Sequence, residues 1–312
     1  MLNGKAFLFP GQGAQYPGMG REVYEKYEEA RDVYNNANDI LGFNISEICF
    51  NGKKEELNKT SICQPAILIT SIAILSVLKS RGSNGCVTSK IAGGLSLGEY
   101  TAYVYAGAIS FEDAVRLVHM RGKFMQDACE QNPGGMVAVL RLKDSEVEEI
   151  CEQSRHLGSA SIANYNSPEQ VAVSGELKAL DNIVKEVKAR GGRAVALKVS
   201  GGFHSSLMSP AKSKLEVEIK KTKILKSNVP VIANANGEYV SEPDDIKDIL
   251  MHQLDNPVLW TQSMQRLIKD GIDTFYEFGP GKVLTGLLQK TDPTKEIRNI
   301  ETLKSIEELL GQ

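Results

Sequence analysis

Apolar positions along this chain recur in two rhythms, and the switches between them outline its elements. Lys5-Ala6-Phe7-Leu8-Phe9 is a short apolar run that predicts a buried strand, and Pro10-Gly11-Gln12-Gly13 predicts a tight turn after it. Helical spacing follows from about Arg21 to Asn38 and again from Gln64 to Leu78, the second with a long apolar face. A short strand from Ser89 to Gly93 then delivers the chain to a glycine-flanked serine, and LGEYTAYVYAGA reads as the helix beyond it. Ser110, with Asp113 three residues on, has the features of an N-cap and opens an amphipathic helix to about Gln131.

From Met136 the texture changes. MVAVLRL predicts a strand, DSEVEEICEQSRH a helix, SASIANY and EQVAVSG two strands, ELKALDNIVKEVKARGG a helix closed by glycine, and RAVALKVS a last strand. The order β-α-β-β-α-β over about 65 residues is that of a ferredoxin-like unit. Strand–helix alternation resumes beyond GGFHSSLM. The expected organisation is therefore an α/β body, residues 1–127 and 200–312, with a smaller unit, residues 128–199, inserted into it. No internal repeat or low-complexity tract interrupts this pattern, and KKTKILKSN (220–228) reads as a solvated helix end.

Composition narrows the class without naming a chemistry. Hydrophobic residues are 42%, charged residues 24% and the net charge is −3, which is ordinary for a soluble globular protein and gives no reason to expect nucleic-acid binding. Cys49, Cys63, Cys86, Cys129 and Cys151 form no CxxC pair and no metal-ligand spacing with the histidines, so they are expected in or near the core of a protein kept reduced. No apolar run is expected to reach the roughly 18 residues of a membrane span. The chain enters a strand-like segment at once, so a targeting segment is not expected within it, and the protein either stays where it is made or has such a segment outside this sequence.

Gly94-Leu95-Ser96-Leu97-Gly98 is the feature that points to chemistry. A G-x-S-x-G frame between a strand and a helix lets the backbone turn sharply and project a serine hydroxyl, with the following N–H groups aimed at a reacting carbonyl. The five-residue pattern alone is also that of an ordinary turn. It gains meaning from FPGQGAQ at 9–15, MRGKFMQ at 120–126 and GGFHSSLM at 201–208, which accompany GLSLGEYTA in a set order and spacing. With CQPAIL at 63–68, NSPEQVAVSG at 166–175, NPVLWTQS at 256–263 and EFGPGKVLTGL at 277–287, the chain resembles the malonyl-CoA:acyl-carrier-protein transacylases of fatty acid synthesis over nearly its whole length.

The resemblance implies an α/β-hydrolase-like body carrying the ferredoxin-like subdomain. It implies Ser96 as nucleophile, His204 as its proton shuttle, and the backbone N–H groups of Gln12 and Leu97 as the oxyanion hole. Arg121 would hold the malonyl carboxylate through paired charge-assisted hydrogen bonds. A main-chain carbonyl near Gln253 would orient the imidazole in place of a carboxylate, while Gln64, Asn164 and Phe203 would lie near the cleft. His119, His156 and His252 sit in or near helix patterns and are expected to be structural. Leu95 stands where histidine is commoner. That form resembles plastid-type members, so a plastid enzyme whose transit peptide is absent from this chain and a bacterial cytoplasmic enzyme are both open.

No cofactor is implied beyond the substrates, malonyl-CoA and phosphopantetheinylated acyl carrier protein, and the family resemblance implies a monomer. Lys188, Arg190, Arg193 and Lys198 are candidates for a basic rim that guides an acidic carrier, or for a solvated face. Three other readings remain: a polyketide-synthase acyltransferase, an editing acyl hydrolase, and a non-catalytic scaffold that docks a carrier. Arg121 argues against the hydrolase, because neutral acyl groups have no use for a cation.

Overall fold

The computed structural model describes residues 4–82 and 88–311. Among these residues, ten strands form two separate sheets. The larger comprises β1 (Gly4–Phe9), β2 (Ile91–Gly94), β7 (Val231–Ile232), β8 (Tyr239–Val240), β9 (Ile272–Phe278) and β10 (Glu296–Ile300), in the order β10-β9-β1-β2-β7-β8. Every neighbouring pair is parallel except β7 with β8. Parallel strands need crossovers that cover the sheet with helices, so β1 and β2 read as continuous apolar runs and are buried throughout most of their length.

The smaller sheet holds β3 (Gly135–Leu140), β4 (Ala160–Ser167), β5 (Gln170–Gly175) and β6 (Arg193–Ala196), in the antiparallel order β4-β5-β3-β6. With helices Asp144–Ser154 and Leu177–Ala189 packed on one face, it is the ferredoxin-like arrangement. Val137, Val139, Val171 and Val173 point into that helix-covered core, while Met136 and Ala172, one residue out of phase, face the larger sheet's side. The strand expected over 193–200 ends at Ala196. Beyond it the chain leaves the sheet as a cleft wall, still tied by Leu197 N–H to Met136 O.

Two helical expectations are revised. The stretch 21–38 is two helices, Arg21–Lys26 and Glu28–Leu41, separated by Tyr27 in an extended conformation (φ −114°). Tyr27 is 2% exposed, and turning its ring into the core breaks the helical phase. The second revision concerns Gln64–Leu78, which lies within a longer helix, Thr60–Arg81, uncharged from Thr60 to Leu78. Contrary to the expectation from the sequence, this is long and apolar enough to cross a membrane. Its threonines, serines and Gln64 interrupt the apolar run in sequence, and the helix lies within the core, packed against Glu28–Leu41 and Phe111–Gln131. The N-cap at Ser110 forms as expected, its hydroxyl accepting from Asp113 N–H at 3.0 Å.

Candidate active site

Strand β2 ends at Gly94, and helix Leu97–Tyr105 begins immediately after Ser96. Between them Ser96 adopts φ 54°, ψ −103°, a left-handed conformation costing a non-glycine residue about 1–3 kcal/mol. The flanking glycines are steric requirements. A Cβ on Gly94 would lie 2.0 Å from the Gly98 carbonyl carbon, and one on Gly98 would lie 2.0 Å from Phe9 O. Backbone therefore packs on backbone where the elbow meets the end of β1, and Leu95 N–H donates to Phe9 O at 3.1 Å. The Asn234 side chain pins the turn from the other side. It accepts from Ser96 N–H at 2.6 Å and donates to Gly94 O at 2.7 Å.

Ser96 Oγ is 2.7 Å from His204 Nε2, and His204 Nδ1 is 2.9 Å from the main-chain carbonyl of Gln253. A carbonyl can only accept, so Nδ1 carries the proton and Nε2 offers its lone pair to the serine hydroxyl. His204 also has a left-handed backbone (φ 54°) and is 3% exposed. Burial first, and then the nearby Arg121 charge, push its pKa down to about 4, so at neutral pH the imidazole is an uncharged base.

Arg121 is fully buried on helix Phe111–Gln131. Its Nη1 donates to Gln64 Oε1 at 2.8 Å, and its Nη2 to Gln253 Oε1 at 2.9 Å and Ser96 Oγ at 3.1 Å. The guanidinium also sits 5.4 Å from the Tyr100 ring centroid. Gln64 continues the chain of contacts, its Nε2 reaching Gln12 Oε1 at 3.4 Å. The first glycine turn, the arginine and the serine thus meet at one point.

Gln12 and Ser96 open from that point into a cleft of about 200 Å³ between the two sheets. Gln12, Leu95, Ser96, Phe203 and His204 line it from the body, and Met136, Asn164, Ala172 and Leu197 from the smaller sheet's side. Asn164 ties the two together: it bridges to Val258, and Tyr165 N–H donates to Val258 O at 2.9 Å. Val283 and Leu287 complete the wall. Their helix is anchored by the buried Glu277 carboxylate, which accepts from Leu284 N–H at 3.0 Å and Thr285 N–H at 2.9 Å.

The other candidates separate in space. His119 Nδ1 bonds Ser61 O at 2.9 Å, the very carbonyl left without a helical donor because Pro65 has no N–H. His156 and His252 are exposed and bond carbonyls of their own helical turns. Cys49, Cys63, Cys129 and Cys151 are free and buried, and Cys86 lies outside the described residues. Of the basic rim, Lys198 is exposed between the cleft-lining Leu197 and Val199, whereas Arg190 is turned away into a pair with Glu149 at 2.9 Å.

Comparison with known proteins agrees with this geometry. The acyl transferase domain family matches residues 6–309. A malonyl CoA-acyl carrier protein transacylase of Bacillus subtilis is 42% identical over 289 residues, spanning 92% of this chain and 90% of the relative. The crystal structure of the Clostridium perfringens malonyl CoA-acyl carrier protein transacylase is 46% identical, covers 98% of this chain and 96% of its own, and superposes with a TM-score of 0.93. The chain belongs to the malonyl-CoA:acyl-carrier-protein transacylase family. A malonyl-transacylase solved with a type II PKS acyl-carrier protein is also similar, at 34% identity and a TM-score of 0.94 over 98% of this chain and 99% of its own.

Two side chains of this transacylase-family site escaped the sequence reading. Asn234 stands in a polar ANANG stretch with no motif of its own, and Glu99 lies within GLSLGEYTA with no role of its own implied. Glu99 is fully buried, with Oε2 2.5 Å from Gln253 Nε2 and Oε1 3.3 Å from Asn234 N–H. Burial pushes its carboxyl up to about 7, against the opposing pull of those hydrogen bonds and of Arg121. The sequence signal for it is a charged residue on the apolar face of a nine-residue helix, since such a group is buried only with partners.

Proposed function

We propose that this chain transfers malonyl from malonyl-CoA to the phosphopantetheine thiol of acyl carrier protein through a malonyl ester on Ser96. The observation that carries the residue assignment is the convergence on Ser96 Oγ of His204 Nε2 at 2.7 Å and Arg121 Nη2 at 3.1 Å. Nucleophile, base and a cation for the substrate carboxylate meet at one atom.

In the first half-reaction Ser96 Oγ attacks the thioester carbonyl as its proton passes to His204 Nε2. The imidazolium is oriented and stabilised by the Gln253 carbonyl. Negative charge gathers on the former carbonyl oxygen, where the N–H groups of Gln12 and Leu97 are the donors. Leu97 N–H opens a helix and so has no acceptor within it, and the Gln12 turn spends the N–H groups of Gly13 and Ala14 internally. The C–S bond then breaks, His204 returns the proton to the CoA sulfur, and the malonyl ester remains. The carrier thiol next repeats the sequence: it gives its proton to His204, attacks the ester, and frees Ser96 as its oxygen recovers the proton. Arg121 pairs with the malonyl carboxylate throughout and discriminates against acyl groups that lack one. Gln64 and Gln253 hold that guanidinium, while Phe203 and Asn164 bound the acyl end of the cleft.

We read residues 1–127 and 200–312 as the catalytic body and 128–199 as the inserted subdomain, a division supported by their separate sheets. Lys198, at the cleft mouth, is the member of the basic rim best placed to meet an acidic carrier. A bacterial cytoplasmic setting is favoured over a plastid one by the bacterial relatives named above. The transfer is tested by intact mass after mixing with malonyl-CoA. A malonyl adduct should appear, be removed by phosphopantetheinylated carrier, and be absent in Ser96→Ala; an undiminished adduct in that variant places the nucleophile elsewhere. Fatty-acid and polyketide carriers compared as acceptors in the second step identify the pathway served.

A further inference from the structure

Arg121 is a fully buried cation whose hydrogen-bond acceptors are neutral: two amide oxygens and one hydroxyl. A buried guanidinium usually faces a carboxylate directly, because the desolvation cost is otherwise uncompensated. Here the carboxylate stands one residue further back. The Gln253 amide lies between the two, its Oε1 accepting from Arg121 at 2.9 Å and its Nε2 donating to Glu99 at 2.5 Å and to Ser96 O at 2.9 Å. An amide can present either end, and the reversed rotamer would aim an NH₂ group at the guanidinium. Ser96 O is a main-chain carbonyl and only accepts, so with Glu99 beside it the Nε2 end of the amide is held toward that side and Oε1 toward Arg121.

We propose that Glu99 is a positioning residue for acyl selection, acting through Gln253 to fix the Arg121 guanidinium while leaving its charge free of a direct ion pair. This rests on the malonyl-transfer reading above. The arrangement answers two conflicting demands. Recognition of a carboxylate needs an arginine already held in place, so that little ordering is required on binding. A carboxylate holding it directly would compete with the substrate for the same N–H groups. A neutral amide braced by a more distant acceptor supplies the first without the second. The same Gln253 contributes the main-chain carbonyl that orients His204, so bracing its side chain also steadies the base.

The measurement is the ratio of kcat/KM for malonyl-CoA to that for acetyl-CoA, read as the rate of acyl-enzyme formation by rapid-quench mass spectrometry. Glu99→Met conserves volume and removes the acceptor, and should lower the ratio roughly 10- to 100-fold, the loss expected for a hydrogen bond to a charged group. Glu99→Gln keeps an acceptor oxygen in place and should hold the ratio within about threefold of the parent. Gln253→Glu keeps the main-chain carbonyl but sets a carboxylate against Arg121, and should also lower the ratio. An equal fall for both substrates in Glu99→Met would mean Glu99 merely supports the elbow through Asn234, and overturns the proposal. An unchanged ratio in Gln253→Glu overturns it too, and remains readable if Glu99→Met does not fold. A parent that forms no malonyl adduct defeats the transfer reading itself. A malonyl-selective parent whose ratio survives Glu99→Met defeats this inference alone.

Discussion

Arg121→Ala tests the electrostatic account of the site in two independent ways. The substitution removes three donor contacts, at 2.8, 2.9 and 3.1 Å, and the cation they hold. For malonyl transfer the loss is that of a desolvated charge-assisted pairing, about 2–5 kcal/mol, or roughly 30- to several-thousand-fold in kcat/KM. Acetyl has no carboxylate to lose, so its transfer should be spared or improved. The second consequence concerns His204. Its pKa is pushed down to about 4 by burial and, next in size, by the Arg121 charge. Base catalysis needs the neutral imidazole, so acylation by acetyl-CoA in the parent should rise with pH through about 4 and be flat above it. In Arg121→Ala the charge is gone but burial remains, so that limb should move upward while staying below the ordinary 6.5. Acetyl-CoA is the donor of choice because a malonyl carboxylate would itself neutralise the arginine. The assay is pre-steady-state acylation from about pH 3 to about pH 8 in parent and variant, spanning both titrations. A common fall for both substrates makes Arg121 structural, and an acid limb that does not move refutes the assigned field.

Leu95 packs beside the β1–β2 core and is neither nucleophile, base nor oxyanion donor, so Leu95→His should stay within about tenfold of the parent in malonyl transfer. Complete loss with the fold intact would give position 95 a chemical role. Gly98→Ala drives a Cβ to 2.0 Å from Phe9 O and should destabilise by about 3 kcal/mol or more, measured by urea unfolding; a near-neutral result would refute the backbone packing at the elbow. His204, with its pKa lowered in the folded state, binds fewer protons than in the unfolded chain. Its contribution to stability is therefore full above the ordinary 6.5 and is lost as pH falls toward about 4, by up to about 3 kcal/mol. Glu99, raised to about 7, has the opposite slope, stability falling as pH rises from its ordinary 4.5. The clean quantity is thus the difference between parent and His204→Gln, which should shrink as pH falls through that window; a constant difference would deny the shift.

What could be read from residue order was whatever neighbouring residues impose on one another. The elbow at Ser96 and the turn at His204 are announced by their own glycines, because left-handed backbone at 54° must be entered and left within a few residues. The β-α-β-β-α-β order of the small sheet shows in its periodicity, and its strand order follows from packing both helices on one face. Tyr27 shows where this stops: nothing in EKYEE announces a break, and the helix yields only because the ring finds a buried site against distant residues. The same holds for Asn234 and Glu99. Each matters through partners about 135 or more residues away in the chain, and an asparagine in a polar stretch or a glutamate in a helix has dozens of ordinary uses. Arg190 likewise lies near the cleft in the chain but on the helical side of its sheet in space. Local backbone conformation is set by sterics acting over a few bonds. Which buried polar groups pair is settled only when the two sheets close on each other and each desolvated atom must find a partner within reach.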